Sequence, residues 1–153
     1  MSFALIVHYV HSDDPKTGGV LEAAKLLSQE LNEQGVVSEL YFDRKLAPKQ
    51  TFTIVHGLWQ WPGTWANKQF QCKGIPYLLF PHGMLDRWFR HKYPLKHIKK
   101  QTYWWLRQGK ILRQAHAVCF TTEEERRLAR KTFWPYHCLE KLTGLGIRTP
   151  PAP

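Results

Sequence analysis

The sequence predicts an α/β protein: one parallel sheet with helices on both faces. Three observations carry this. Short continuous apolar runs at residues 3–9, 75–80 and 117–120 read as strands covered on both sides. Segments of helical periodicity separate the runs, as in βαβ units. Several runs end in small or polar residues, His56-Gly57, His82-Gly83 and Thr121-Thr122, suited to sharp turns beyond a strand. The 153 residues suit one domain with a real core, and 43% hydrophobic content excludes a mainly disordered chain.

The elements follow in order. Residues 3–9 form the first strand, and a polar loop leads to Gly18-Gly19. A helix spans about 20–34, where Val20, Leu21, Ala24, Leu27 and Leu31 recur at helical spacing and Gly35 stands at the C-terminal cap. Residues 36–42 form a second strand and 52–55 a short third one. Pro62 opens a helix reaching about Cys72, and Gly74 separates it from the strand 75–80. One helix is expected over 94–113, then the strand 117–120. Thr122 caps a further helix with Glu125 at capping-box spacing, ending near Phe133 before Trp134-Pro135. Residues 139–142 form a last strand. The domain is expected over 1–147, with 148–153 as a Pro-rich linker or truncated end.

The net charge of +10 favours anionic partners without choosing among them. Cys72, Cys119 and Cys138 form no CxxC pair, so they read as small apolar fillers in a reducing compartment. The apolar N-terminus is short and has no basic leader, and no run reaches the length of a membrane span. The expected location is cytoplasmic, with peripheral contact at the inner membrane face.

In a parallel sheet, ligands bind beyond the carboxyl ends of the strands. That places His82, Gly83 and Thr121 on one rim. Gly83 permits a sharp turn, and a His there can donate to a hydroxyl or stabilise developing charge. His56-Gly57 repeats the pattern one strand earlier, as an acceptor-side candidate or a packing residue. Gly18 and Gly19 open a helix with accessible N–H groups, which suits an anion or merely a tight turn. Glu123, Glu124 and Glu125 are chiefly helix-dipole complements and a cap, with Glu125 able to face a cleft. His8 and His11 lack metal-ligand spacing, and no metal or resident cofactor is expected. Gly144-x-Gly146 is a lone pair of glycines and carries little.

From Arg87 to Lys110 eight basic residues interleave with Trp and Tyr, with no acid between them. The pattern fits a solvated lysine face, an interfacial segment on anionic lipid through Lys96, Lys99 and Lys100, or a nucleic-acid surface. Nucleic acid is the least favoured, because no recognised binding signature accompanies the charge.

The glycine pair after strand one, Pro81-His82-Gly83 and Thr121-Thr122-Glu123 in this order resemble the N-terminal half of family 4 glycosyltransferases, of the GT-B fold. The resemblance implies a Rossmann-like, acceptor-side domain. It implies a nucleotide-sugar as co-substrate, a glycan or lipid-linked acceptor, and transfer without a metal and with anomeric retention. It places His82 against the transferred sugar, and the Gly18-Gly19 loop against the donor phosphates and the acceptor. The family's second domain brings a Glu-x7-Glu element. Here only Glu22 and Glu30 have that spacing, on the first helix. The expectation is therefore a chain that lacks most of the donor site: a fragment, a split enzyme that works with a C-terminal glycosyltransferase domain on another chain, or a relic that only binds. The other reading is a non-catalytic binder of glycans, anionic lipid or nucleic acid.

Overall fold

The computed structural model describes residues 4–47 and 49–144. The expected linker at 148–153 and Gly146 lie outside them. Six strands form one sheet in the order β2-β1-β3-β4-β5-β6, every neighbouring pair parallel. They are β1 (Leu5–Tyr9), β2 (Ser38–Tyr41), β3 (Gln50–His56), β4 (Tyr77–Phe80), β5 (Ala117–Phe120) and β6 (Glu140–Leu142). The helices are α1 (Gly19–Glu33), α2 (Trp61–Lys73), α3 (Trp88–Lys92), α4 (Pro94–Tyr103), α5 (Gly109–Gln114) and α6 (Glu123–Ala129).

Alternation along the strands feeds two cores. Val55, Tyr77, Leu79, Val118 and Phe120 point to one face, where Ala66 of α2 and Ile111 and Leu112 of α5 cover them with Trp104 and Phe133. Ile54, Phe80 and Cys119 point to the other, against Leu27 and Leu31 of α1. Apolar area removed from water is the main favourable term in such a two-layered core.

Several boundaries differ from expectation for local reasons. β2 begins at Ser38, not 36, because the Val36 amide turns back to Leu31 O and Asn32 then clasps both backbone groups of Ser38 at 2.9 Å. β3 begins early, at Gln50, whose buried side chain bonds Thr53 and the Tyr9 hydroxyl. β4 begins at Tyr77, since Pro76 has no N–H for the ladder. The single helix expected over 94–113 is three pieces. A π-helical turn, Trp104–Gln108, joins α4 to α5, and a Cβ on Gly109 would stand 3.0 Å from the Trp104 carbonyl oxygen. The short α3 was not foreseen. α6 ends at Ala129 rather than near Phe133, because the Thr132 hydroxyl donates to Leu85 O and Phe133 turns inward onto Trp104. Of the cysteines, Cys119 is buried and Cys138 partly so, but Cys72 is exposed in the last turn of α2 and fills no core. Among the described residues no helix is long and apolar enough to cross a membrane.

Candidate active site at the carboxyl rim

The sheet order brings β1, β3 and β4 side by side, and each carries a histidine at or just beyond its carboxyl end. His8 Nδ1 lies 2.9 Å from His56 Nε2, and His56 Nδ1 lies 3.0 Å from His82 Nε2. The ring planes are near parallel, at 15° and 20°, with centroids 5.2 and 5.3 Å apart. With the nitrogens in hydrogen-bond contact, that geometry is edge to edge: a column running from the buried sheet to the rim.

Burial sets the protonation of the column. His8 is fully buried, and desolvation lowers its pKa to about 4. His56 is 2% exposed and is held well below the ordinary imidazole value by burial, then by its two histidine neighbours. Burial also lowers His82, opposed by the nearby Glu125 carboxylate. All three are neutral at pH 7.

His82 occupies a tight turn. Met84 N–H donates to Pro81 O at 3.1 Å, and the two central residues both have positive φ, 50° at His82 and 75° at Gly83. A non-glycine residue in that region is a strained placement that the surroundings must enforce. Glu125 on α6 helps to enforce it. One carboxylate oxygen accepts the Gly83 amide at 2.7 Å, and the other accepts the Thr121 amide and hydroxyl, both at 2.9 Å. Thr122 Oγ1 caps α6 by accepting the Glu125 amide at 3.1 Å. Thus Glu125 takes the expected capping position but aims its carboxylate at the rim. His82, Gly83, Asp86, Thr121, Glu125 and Leu128 line a pocket of about 240 Å³.

A second rim pocket, of about 230 Å³, is lined by Val10, His11, Ser12, Val20, Gln60 and Met84. It stands where the strand order reverses between β1 and β3, the crevice at which open α/β sheets bind ligands. Gly18 is the N-terminal cap of α1 at φ 73° with no side-chain cap bond, and space is open around both Gly18 and Gly19. Gly57 has φ 86°, and Met84 presses on it, 3.1 Å from where a Cβ would stand. His56 itself lies behind His82 rather than lining either rim pocket.

The lysines lie to one side. Lys96 and Lys100, on α4, line a pocket of about 270 Å³ with Met84 and Asp86, beside the rim. Lys100 is half-buried, its Nζ 5.0 Å above the Trp59 ring, while Lys99 is exposed. A wider concavity, about 1100 Å³, runs between α4 and residues 130–140. It contains none of the rim residues, so volume and chemistry point to different places, and the histidine column and clamped turn decide for the rim. Among the described residues no group of three or more His, Cys, Asp or Glu is arranged to hold a metal ion.

Sequence reasoning passed over His8 as the buried end of the column. The sequence held only half of the signal: alternation puts His8 on one face with Ile6, and His56 on one face with Ile54, while the pairing of β1 with β3 that joins the two faces is seen only in the sheet. It also missed Gln108, buried in the π turn, whose Oε1 accepts the Trp59 amide at 3.1 Å.

A Rossmann-like α/β domain with a parallel sheet is the class of protein that the fold defines. The chain belongs to the glycosyl transferase 4-like domain family, which matches residues 29–137. Comparison with curated proteins and with solved structures gave no match.

Proposed function

We propose that this domain forms the acceptor-side wall of a sugar-transfer cleft. In this reading His82 and the Gly83 turn meet the transferred sugar, and Gly18 and Gly19 border the acceptor and donor phosphates. A nucleotide-sugar is the donor, the anomeric configuration is retained, and a donor-binding domain supplies the remaining contacts. The observation that carries the reading is the strained His82-Gly83 turn, held by Glu125 over the rim pocket. Strain of this kind is retained where a site needs a fixed group. Rate depends on contacts made in the transition state, so the His82 and Gly83 contacts are expected to show in the rate of transfer.

Amide and histidine-ring NMR of the chain, titrated with nucleotide-sugars and with mono- and oligosaccharides, tests the reading. Saccharides are expected to move the signals of His82, Gly83 and Thr121. Signals that move only in the α4 groove, or nowhere with any sugar, would overturn it. With a donor-binding domain present, His82→Ala is expected to slow transfer roughly 10²-fold, the scale for losing one stabilising donor. An unchanged rate would remove His82 from that role.

A second reading concerns α4, which buries none of its residues and exposes Leu95 (81%) and Ile98 (62%) beside Lys96 and Lys99. Apolar and basic side chains on one short amphipathic element suit the surface of an anionic membrane. The same domain would then meet its acceptor at that surface.

A further inference from the structure

The histidine column has a direction. His8 Nε2 is buried and has no hydrogen-bond partner among the described residues. It carries either a bare lone pair or an N–H. An orphaned buried N–H is the rarer and costlier defect, since its desolvation goes uncompensated. The lone pair therefore belongs on His8 Nε2, and the His8 proton sits on Nδ1.

The remaining protons follow from the contacts. His8 Nδ1–H donates to His56 Nε2 across 2.9 Å, which leaves the His56 proton on Nδ1. His56 Nδ1–H donates to His82 Nε2 across 3.0 Å, which leaves the His82 proton on Nδ1. That last nitrogen makes no hydrogen bond to the described protein, and His82 lines the rim pocket. The neutral ring of a solvated histidine side chain prefers its proton on Nε2, so three successive rings are held in the disfavoured form.

We propose that His8 and His56 are positioning residues that lock His82 in the Nδ1–H tautomer, so that it serves the rim pocket as a hydrogen-bond donor to a neutral oxygen of the bound sugar rather than as a proton acceptor. The proposal rests on the sugar-transfer reading for its ligand and on the column alone for its tautomer. It assigns His82 a polarising, oxygen-binding role, for which a neutral donor of fixed direction is suited. Burial of the column keeps the lock in place at neutral pH.

The test is two-bond ¹H–¹⁵N correlation NMR on histidine-labelled protein at pH 7, which separates protonated from bare ring nitrogens. The expected result is Nδ1–H and bare Nε2 at His8, His56 and His82. A proton on Nε2 of His56 or His82 would overturn the proposal, with no variant needed. Two variants add a readout that mere packing would not move. His8→Leu removes the first donor and should release His82 into a mixture of tautomers. His8→Asn, whose amide nitrogen replaces Nδ1, should restore the single form. A His82 that keeps one tautomer in His8→Leu would show that the lock does not pass through His8, and would overturn the proposal. Titrating the same sample with the saccharides named above separates the two readings. Correct tautomers with no rim signal moved would sink the sugar-transfer reading while the tautomer lock stands.

Discussion

The carboxylate of Glu125, in the first turn of α6, accepts a hydrogen bond from the Gly83 amide beyond β4 at 2.7 Å. Two strand-end loops thereby become one unit, since the same carboxylate holds Thr121 beyond β5.

Glu125→Ala removes three hydrogen bonds to an ionised acceptor. Partial solvent access returns some of that loss, so about 2 kcal/mol of stability is expected to go. Urea denaturation reads this directly. Glu125→Gln should also lower the His82 pKa further, because the carboxylate is what opposes the effect of burial. A His82 titration midpoint that rises in this variant would contradict the electrostatic account.

Acid should weaken the fold through the column. His8 titrates near 4 when folded, against the ordinary 6.5 when unfolded. Between those values the unfolded chain binds the extra proton, so stability is full above about pH 6.5 and declines as pH falls toward 4. His8 alone accounts for about 3 kcal/mol of that decline, at 1.36 kcal/mol per unit. Urea midpoints taken from pH 7 to pH 4 should fall steadily, and His8→Leu should flatten the slope. A pH-independent midpoint would be incompatible with a buried neutral His8.

Gly57→Ala should destabilise by about 1–2 kcal/mol, the range for a side chain forced to positive φ. The new methyl would also press on Met84 Cε at 3.1 Å, and Met84 Sδ accepts the Leu58 amide. Thermal unfolding tests this. Gly83→Ala meets open space and carries only the backbone term, so it should be the milder of the two.

Replacing Lys96, Lys99 and Lys100 by Gln tests the membrane reading. Each lysine near an anionic surface contributes about 1 kcal/mol. Lys100 is half-buried over the Trp59 ring while Lys96 and Lys99 are exposed, so those two should carry most of the effect. A loss of roughly 2 kcal/mol, or about 30-fold in affinity for phosphatidylserine vesicles, is expected, shrinking as salt rises. Tighter binding of a single-stranded oligonucleotide at matched salt, lost in the same variant, would move the surface to nucleic acid.

The parallel sheet and its rim were legible because they rest on local signals. Apolar runs marked the strands, and Gly57, Gly83 and Thr121 stood at their ends. Thr122 and Glu125 had the capping spacing that α6 uses. What escaped notice depends on neighbours distant in sequence. His8 meets His56 only because β3 pairs with β1, and no window along the chain holds both. The π turn at Trp104–Gln108 follows from Trp104 packing on Phe133 and Tyr136. The periodicity of residues 94–113 by itself describes an unbroken helix. α3 is a single short turn, below the length at which hydrophobic spacing is informative.

β1 lies inside the sheet, yet both of its partners are made after it: Ile6 pairs with Ser38 and with Phe52. At roughly 5–20 residues per second, synthesis leaves this apolar strand without neighbours for seconds. Leu5, Ile6 and Val7 thus emerge before any strand that pairs with them. Assembly also acquires an order. His82 is made after His8 and His56, so during synthesis the column cannot be complete until the residues beyond β4 have emerged.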